Sequence, residues 1–518
     1  MSTDLEAAIA AGYGFDAPAL TFGAAMEGEE ALPGAPVRVP LAMMNRHGLV
    51  AGATGTGKTK TLQVLAEQLS DAGVPVFISD IKGDISGLAA PAALNEKLTA
   101  RAGAIGFADY APKSFPVEFL TLDRKGTGVR LRASVSGFGP ILLSKVLDLN
   151  ETQQSVLALA FKYSDDHKLP LVNLEDLRAL LNHLNSDEGK AQMAEYGGVA
   201  TATVGVIVRK IVELEQQDAD AFFGSPEFEV ADFLRSAPDG RGVISILELA
   251  DMQDRPALFS TFMMWLLASL YASLPEVGDP DKPKLVFFFD EAHLLFRDAN
   301  KTFMQQIELV ARLIRSKGVG VFFVSHSPAD VPAEVLGQLG NRVQHALRAF
   351  TPDDLKTVRA TAETFPTTEH YDVEEELTAL GTGEALITAL DLKGRPMPTA
   401  RVMMRPPMSL MAQVEPGVFA ATVAASSIAA TYAADTDPES AKELLAARME
   451  RAAQEAKEPM EGVEDPESAS ERRMRPTRAP EKGVNWGDVA QEGARFARSG
   501  AFNTILRAVM GILGGRRR

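Results

Sequence analysis

Apolar and polar residues follow two different spacings between about residue 40 and residue 90. Residues 47–51 and 74–80 are short apolar runs, whereas residues 59–73 carry apolar residues three and four positions apart. The first pattern is typical of buried strands and the second of an amphipathic helix. Strand, helix and strand in this order predict a parallel sheet covered by helices, which is an α/β fold.

Four later apolar runs extend the predicted sheet. They are apolar nearly throughout, as expected of strands covered on both faces. Residues 91–240 instead have helical spacings interrupted by Pro, Gly and Asp or Asn, and they predict a helical insertion. The later strands are expected at residues 242–249, 284–290, 318–325 and 342–350.

Composition divides the chain into five segments. The sheet signals stop after about residue 405, where an Ala-rich helical stretch begins. A region rich in Pro, Glu and Arg then predicts a flexible charged linker, and a basic amphipathic helix is expected at the end. The predicted segments are a short N-terminal segment at 1–40, the α/β domain at 41–405, the helical stretch at 406–435, the linker at 436–483 and the terminal helix at 484–518.

Charge and cysteine content limit the function classes. The net charge of −17 argues against unspecific attraction of nucleic acid to the whole surface, although a local basic groove stays open. The absence of cysteine excludes disulfides and thiolate metal sites and fits a reducing cytoplasm. No signal peptide is visible, and residues 257–274 are expected to form a buried helix rather than a membrane span. We therefore expect a soluble, cytoplasmic protein.

The turn after the first strand, GATGTGKT at residues 52–59, fits the pattern G-x-x-x-x-G-K-[ST]. Glycines let the backbone curl so that consecutive N–H groups point at phosphate oxygens. Lys58 would neutralise the β and γ oxygens, and Thr59 would bind Mg²⁺. A glycine-rich turn without a ligand is the alternative, but the position between strand and helix favours a nucleotide. The predicted nucleotide site comprises Gly52, Ala53, Thr54, Gly55, Thr56, Gly57, Lys58, Thr59 and Lys60.

Two acids, Asp290 and Glu291, end the strand predicted at residues 284–290. Ligands bind at the carboxyl edge of such sheets, so Asp290 is expected to hold the hydration shell of Mg²⁺ and Glu291 to polarise the attacking water. Solvated acids that cap a strand are the alternative, which is weaker for a pair beside a phosphate loop. We predict a Mg²⁺-dependent ATPase of the P-loop, RecA-like fold, with a mostly parallel sheet, a helical insertion and a helical C-terminal tail.

Secondary candidates follow the strand at residues 74–80. Asp80 and Asp84 are expected near the phosphate site, where they would support the metal or the water, and Lys82 would act there or pair with them. His293 completes the letters DEAH, which also occur in a class of two-lobed helicases. The flanking order does not match that class, so we expect the identity to be coincidental.

Several motifs in this order resemble the HerA/FtsK superfamily of ring-forming motors, in particular the bacterial HerA-like helicases. They are GATGTGKT, ISDIKGDISG, FFFDEAHLLF and RLIRSKGVGVFFVS with LGQLGNRVQHALR, and they cover most of residues 40–405. The resemblance implies a homo-hexamer that moves on duplex DNA, with a nuclease or another protein as a further partner.

The same resemblance implies an arginine finger that reaches the γ-phosphate of the neighbouring subunit. Arg315 is the best match and Arg312 the second, while Arg342 and Arg348 are further candidates near the same face. The alternative for Arg315 is a surface arginine that is solvated or paired with a carboxylate.

One position departs from the family pattern. Family members usually have Gln after the strand at 318–325, in a Thr-Gln or Ser-Gln pair that senses the γ-phosphate, and His326 occupies that place here. A neutral imidazole can still donate a hydrogen bond, so His326 is a candidate sensor. A turn histidine without a role is the alternative.

Three functions follow from these patterns. The first is an ATP-driven DNA motor, for which the basic segment 122–133 offers either a pore lining or an exposed basic hairpin. The second is an ATP-driven switch or assembly factor, suggested by the terminal helix, which would bind a partner groove or an anionic membrane surface. The third and weakest is a nucleotide-binding protein with little turnover, suggested by His326.

Overall fold

A computed structural model describes residues 2–250, 256–297 and 301–455 of the chain. In this part of the chain, twelve strands form one sheet, in the order β2-β1-β12-β11-β10-β3-β9-β8-β4-β7-β5-β6. The strands are β1 Ala19–Glu27, β2 Glu30–Pro40, β3 Gly48–Ala51, β4 Val76–Asp80, β5 Val117–Thr121, β6 Val129–Arg130, β7 Ile244–Glu248, β8 Leu285–Phe289, β9 Val319–Ser325, β10 Asn341–Gln344, β11 Glu384–Thr388 and β12 Ala400–Met404.

Helices cover both faces of this sheet. They are α1 Ser2–Tyr13, α2 Lys58–Asp71, α3 Glu96–Ala104, α4 Val135–Val146, α5 Glu151–Asp166, α6 Leu174–Leu184, α7 Asp187–Met193, α8 Thr201–Glu215, α9 Pro256–Ser273, α10 His293–Arg297, α11 Lys301–Leu313, α12 Ala333–Leu336, α13 Pro352–Ala362, α14 Val373–Ala379, α15 Pro416–Ala424, α16 Ala429–Tyr432 and α17 Ala441–Glu455.

The eight strands from β10 to β6 are mutually parallel, and the remaining four join them antiparallel. The mostly parallel α/β sheet is therefore confirmed. Strand β9 lies between β3 and β8, so the carboxyl ends of β3, β9, β8 and β4 meet in this order along one edge. The apolar strand residues are buried by the helices, as the continuous apolar runs predict.

The predicted N-terminal segment at 1–40 is part of this sheet, which corrects its description as a separate piece. It forms α1 and the hairpin of β1 and β2, and β1 pairs with β12. Strand β2 contains three prolines, at positions 33, 36 and 40, and it lies at the sheet edge. An edge strand tolerates proline because its outer N–H groups have no strand partner. The same prolines concealed the strand in the sequence pattern.

The predicted insertion at 91–240 is mainly helical, containing α3 to α8. It also contributes β5 and β6, which extend the parallel sheet beyond β7 and which the helical prediction missed. Both are five residues or shorter, so no long apolar run announces them. Buried side chains of α5, α6 and α8 pack in the same core as those of α9, including Leu157, Leu177, Ile207 and Phe262.

The C-terminal prediction is corrected in part. Residues 441–455, placed in the predicted linker, form α17, whose Ala441 and Leu445 are buried in the core around α6. The Ser440 hydroxyl donates to Asp176 at 2.5 Å and fixes the start of this helix. The Ala-rich stretch forms α15 and α16 as expected, whereas residues 456–518, with the predicted terminal helix, lie outside the described residues.

The long apolar helix α9 is buried by protein, as the sequence predicts. Phe262, Leu266 and Leu270 are fully enclosed. Among the helices of the described residues, none has both the length and the hydropathy needed to cross a membrane.

Candidate active site

The phosphate loop connects the carboxyl end of β3 to the amino end of α2. Gly52 and Gly57 have φ values of 152° and 122°, which favour glycine. A Cβ on Gly52 would lie 2.5 Å from the Cβ of His345, so the close packing also requires glycine. The N–H groups of Gly52 and Ala53 donate to carbonyls at the end of β9 and after β10, at 3.2 and 2.8 Å. Two neighbouring strands therefore hold the loop.

Lys58 is the first residue of α2, and its side chain folds over the loop. Its buried ammonium donates to the carbonyls of Gly52 and Ala53, at 2.7 and 3.1 Å. Burial lowers the pKa of Lys58, while the carboxylates of Glu291 and Asp290 favour its charged form. The first turn of α2 adds N–H groups without intrahelical partners and the positive end of the helix dipole. Loop, lysine and helix together can hold a phosphate group.

A buried histidine that the sequence analysis did not select supports the loop. His345 places Nδ1 at 2.7 Å from the carbonyl of Glu384, so Nδ1 carries the proton. Nε2 therefore accepts from the hydroxyl of Thr61 on α2, at 2.8 Å. Burial lowers the pKa of His345 to about 4 and keeps the ring neutral. Because both nitrogens are engaged, the ring links β10 to the helix that carries Lys58.

Asp290 directly follows β8 and is buried at the carboxyl edge of the sheet. Its Oδ2 atom has no hydrogen-bond partner among the described residues. Burial, and then the charge of Glu291, raise the pKa of Asp290 to about 7. Carboxylate oxygens of Asp80, Asp84 and Asp290 lie within 4.8 Å of one another. Carboxylates this close favour a bound cation, and a set of oxygens alone suits Mg²⁺.

Asp80 orders the turn after β4. Its carboxylate accepts from the N–H groups of Lys82, Gly83 and Ile85, at 3.1, 2.7 and 3.0 Å. Burial raises the pKa of Asp80 to about 6, although these hydrogen bonds oppose the shift. Oδ1 of Asp84, in contrast, is buried without a hydrogen-bond partner in the described part of the chain. Asp84 is thus freer than Asp80 to bind a cation.

Glu291 is held in a strained backbone conformation. Its φ of 50° lies in the left-handed region, which costs a residue other than glycine about 1–3 kcal/mol. The next residue, Ala292, donates its N–H to the carbonyl of Val324 on β9 at 2.8 Å, which secures the turn. Strain of this kind is concentrated at functional sites.

Three side chains surround the carboxylate of Glu291. Lys82 donates its ammonium to Oε1, whereas Nδ1 of His293 and Nε2 of His326 lie 3.2 and 3.1 Å from Oε2. Burial would raise the pKa of Glu291, but Lys82 and then the two histidines hold it below its usual range. The side chain is 4% exposed and ionised at neutral pH. A buried, ionised carboxylate can accept a proton from water.

His326 follows β9, between the phosphate loop and the two acids. The turn around it is fixed by Asp330, which accepts from the Ser325 hydroxyl at 2.7 Å and the Ser327 N–H at 2.9 Å. Burial lowers the pKa of His326, and Glu291 partly opposes this shift. Its position beside Glu291 agrees with a place near the γ-phosphate, and its role as a sensor stays a prediction.

The predicted arginine finger lies at the opposite edge of the sheet. Arg315 is in the turn Ile314–Lys317, before β9, so the seven residues of that strand separate it from His326 by roughly 20 Å. Its guanidinium lies 3.7 Å from Asp279, which also accepts from Arg46 at 2.9 Å. Arg315 is therefore excluded from the phosphate loop of its own subunit.

The other candidate arginines differ in their exposure and in the elements that carry them. Arg312 is exposed at the end of α11. Arg342, in β10 opposite Leu49, is partly buried, and burial lowers its pKa. Arg348 is exposed on the loop that follows β10. That Arg342 and Arg348 lie near one face with Arg315 stays a prediction.

The basic segment at 122–133 is partly buried in ion pairs. Arg130 and Arg132 both pair with Asp435, and Arg132 is 1% exposed. Arg124 pairs with an acid of the insertion at 2.9 Å. These pairs tie the insertion to the chain after α16. The prediction of a pore lining or an exposed hairpin is therefore corrected for Arg130 and Arg132, whereas Arg124 is exposed.

Local signals existed for the residues that the sequence analysis missed. Ser327 and Asp330 form a capping box, which is recognisable from their spacing. His345 interrupts an apolar strand that is expected beside the phosphate loop, and a polar side chain in such a place needs a partner. Its partner Thr61 could not be identified, because the pairing depends on which strand lies next to α2.

The family model and two relatives that match this chain are described as HerA or HerA-like helicases. The chain matches the family described as Helicase HerA-like C-terminal over residues 26–518. The DNA double-strand break repair helicase HerA of Sulfurisphaera tokodaii is 24% identical over 357 residues, which are 68% of this chain and 64% of that protein. The protein of the same description from Sulfolobus acidocaldarius is 22% identical over 365 residues, with the same shares. The chain thus aligns with just under two thirds of the length of these relatives.

Solved structures agree on the fold. The plasmid coupling protein TrwB in complex with a non-hydrolysable ATP analogue superposes with a TM-score of 0.50 and 17% identity, covering 78% of this chain and 98% of that one. At this identity the likeness concerns the fold.

Proposed function

The chain belongs to the Helicase HerA-like C-terminal family, and we propose that it is an ATP-hydrolysing ring motor that moves on DNA. The observation that carries the proposal is the meeting of Lys58, Asp290 and Glu291 at one sheet edge, with Glu291 ionised and aligned by Lys82. Binding of a nucleotide alone would not require a strained, buried carboxylate beside the phosphate loop. The relatives named as DNA repair helicases support DNA as the track.

ATP and Mg²⁺ are the proposed ligands of the site. The loop and Lys58 would hold the phosphates, and Thr59 and Asp290 would hold the metal, with Asp84 close enough to assist. The buried Oδ2 of Asp290 and Oδ1 of Asp84, neither of which has a hydrogen-bond partner in the described chain, fit a cation. When bound, Mg²⁺ neutralises charge that develops on the phosphate oxygens.

Glu291 is the proposed base for the attacking water. Its ionised carboxylate would accept a water proton, while the Lys82 hydrogen bond to Oε1 keeps Oε2 directed towards His326. His326 would then take the place of the family's glutamine beside the γ-phosphate. Since its pKa is lowered, the ring is neutral at pH 7 and can donate one hydrogen bond.

A ring is proposed because Arg315 cannot reach the phosphate loop of its own subunit. Its side chain is 43% exposed at the amino end of β9, where a neighbouring subunit could receive it. We propose a homo-hexamer in the cytoplasm in which Arg315 completes the neighbour's site. Arg312, Arg342 and Arg348 stay secondary candidates, and a nuclease or another protein stays a proposed partner.

A mixing experiment tests the shared site. Glu291→Gln and Arg315→Ala proteins should each hydrolyse ATP poorly, whereas their mixture should regain activity, because some interfaces combine an intact Glu291 with an intact Arg315. Lys356→Ala, on an exposed lysine of α13, is the control and should stay active alone. A mixture no more active than the sum of its components contradicts the shared site.

A second experiment tests the track. ATP hydrolysis by the unmodified protein should increase when duplex DNA is added at low salt, and the increase should disappear as salt rises. Hydrolysis that is indifferent to DNA, with no DNA retained at low salt, contradicts the motor. The alternative of a switch on a protein or membrane complex rests on the terminal helix at 484–518, outside the described residues, and no observation in the described part favours it.

A further inference from the structure

We propose that Glu291, His293 and His326 form a second metal site, which takes a transition-metal dication such as Zn²⁺ and thereby withdraws Glu291 from ATP hydrolysis. Metal binding by these three residues is inferred from their geometry alone. Inhibition of ATP hydrolysis by the metal rests on the proposed function of Glu291 as the base.

The three potential ligand atoms already lie at metal-binding separations. Oε2 of Glu291 is 3.2 Å from Nδ1 of His293 and 3.1 Å from Nε2 of His326, and all three atoms lie within 4.8 Å of one another. Ligands about 2.0–2.1 Å from a tetrahedral zinc ion are about 3.3 Å apart. The observed contacts match this spacing, so an ion could bind with small side-chain adjustments.

Two of these atoms lack the partner that burial requires. Oε2 of Glu291 and Nδ1 of His293 are buried and make no hydrogen bond in the described part of the chain. Glu291 is 4% exposed, and a buried polar atom without a partner is unfavourable. A bound cation would satisfy both atoms at once. Lys82 engages only Oε1, so it orients the carboxylate and leaves Oε2 available.

The ligand types separate this site from the proposed Mg²⁺ site beside it. Asp80, Asp84 and Asp290 present only oxygens, which Mg²⁺ prefers, whereas two imidazole nitrogens and one carboxylate oxygen suit zinc, cobalt or nickel. The chain has no cysteine, so no thiolate competes for such ions.

The test is Zn²⁺ binding to the full chain without a polyhistidine tag and without nucleotide, measured by competition with a chromophoric chelator. We expect one Zn²⁺ per chain, unaffected by millimolar Mg²⁺, and at least about tenfold weaker binding in His293→Asn and in His326→Asn. His370→Asn, which changes an exposed histidine, should bind as the unmodified protein does. Equal binding by all four proteins, or no stoichiometric binding by the unmodified one, overturns the site.

Two further measurements test the metal site without relying on variants and separate metal binding from inhibition. Co²⁺ added to the unmodified protein should give the visible absorption of a four-coordinate nitrogen and oxygen site, and its absence counts against the proposal even if a variant fails to fold. Zn²⁺ should also inhibit ATP hydrolysis while leaving nucleotide binding intact. Stoichiometric Zn²⁺ binding without inhibition would retain the metal site and overturn the proposed inhibition together with the role of Glu291 as the base.

Discussion

Charged side chains at the two edges of the parallel sheet differ in their burial and in their hydrogen bonding. At the carboxyl edge, Asp290 and Glu291 are buried, one oxygen of each has no hydrogen-bond partner in the described chain, and Glu291 has a strained backbone. At the amino edge, Asp279 and Arg315 form a solvent-exposed pair. Buried charge without full compensation lowers stability, whereas an exposed pair changes it little. Charged side chains at the carboxyl edge are therefore arranged to bind ligands, whereas those at the amino edge are arranged to contact solvent or a neighbouring molecule.

Histidines sharpen this contrast, because each edge has one that is buried and fully satisfied. His345 links the phosphate loop to α2. At the amino edge, His47 accepts from the N–H of Val321 at 3.0 Å and donates to the carbonyl of Ala311 on α11. Each ring joins a strand to a helix that carries a candidate site residue. Both edges thus contain a buried histidine whose two ring nitrogens are paired, whereas Asp290 and Glu291 each keep one oxygen without a hydrogen-bond partner in the described chain.

The largest expected effect concerns Glu291. Glu291→Gln keeps the shape but loses the base, so we expect the turnover number for ATP to fall about 10²–10⁴-fold with nucleotide affinity little changed. Steady-state hydrolysis and fluorescent-nucleotide binding measure the two quantities. Glu334→Gln, on an exposed acid of α12 beyond the same edge, should leave both unchanged. Loss of nucleotide binding in Glu291→Gln would instead make the residue structural.

The next largest expected effect is on the pH dependence of stability, to which His47 at the amino edge contributes. Burial lowers the pKa of His47 from 6.5 to about 4, so between these values the unfolded chain takes up a proton that the folded chain refuses. Stability is therefore lost as pH falls through this window, at about 1.4 kcal/mol per pH unit for one such group.

The measurement is the difference between the urea midpoints at pH 7 and pH 5. The raised pKa values of Asp80 and Asp290 stabilise the fold as pH falls and oppose the effect of His47 and His345, but they act equally in all variants. The midpoint of His47→Gln should therefore fall less, or rise more, on acidification than that of the unmodified protein. His370→Gln, at an exposed position, should change as the unmodified protein does. Equal changes in all three proteins would show that His47 is not buried neutral.

A comparable loss is expected from Thr61→Val. The substitution leaves Nε2 of His345 buried without its donor, which should lower the free energy of unfolding by about 1–3 kcal/mol and weaken nucleotide binding by loosening the loop. Thr99→Val, on the exposed surface of α3, is the control and should change stability by less than about 0.5 kcal/mol. The measurement is the thermal unfolding temperature of both variants. Equal decreases in this temperature would refute the supporting role of His345.

The smallest effect is expected at the exposed pair. Asp279→Asn should change the free energy of unfolding by less than about 1 kcal/mol, because Asp279 is 71% exposed. If Arg315 acts on a neighbouring subunit, this variant should keep its ATP hydrolysis, since the guanidinium itself stays intact. A large loss of stability would mean that the ion pair at the amino edge is not merely a solvent-exposed pair.

Much of the fold was predictable because its signals are local. The strands β3, β4, β7, β8 and β9 follow apolar runs, and α5, Glu151–Asp166, lies within the predicted helical insertion. The hairpin of β1 and β2, the short strands β5 and β6, and the pair β11 and β12 were missed. Prolines, glycines and short length conceal such strands, and pairing with neighbours far along the chain stabilises them.

The sequence by itself determined the phosphate loop, the two acids after β8 and the family. Residues adjacent in the chain carry these signals, because the glycines, Lys58 and the start of α2 follow one another in the sequence, although β9 and the segment after β10 hold the folded loop. Only the tertiary structure decided that Lys82 and two histidines surround Glu291, that Asp435 neutralises Arg132, and that Arg315 lies at the far edge. Burial and neighbouring charge depend on strand order and on contacts hundreds of residues apart, which no local pattern encodes.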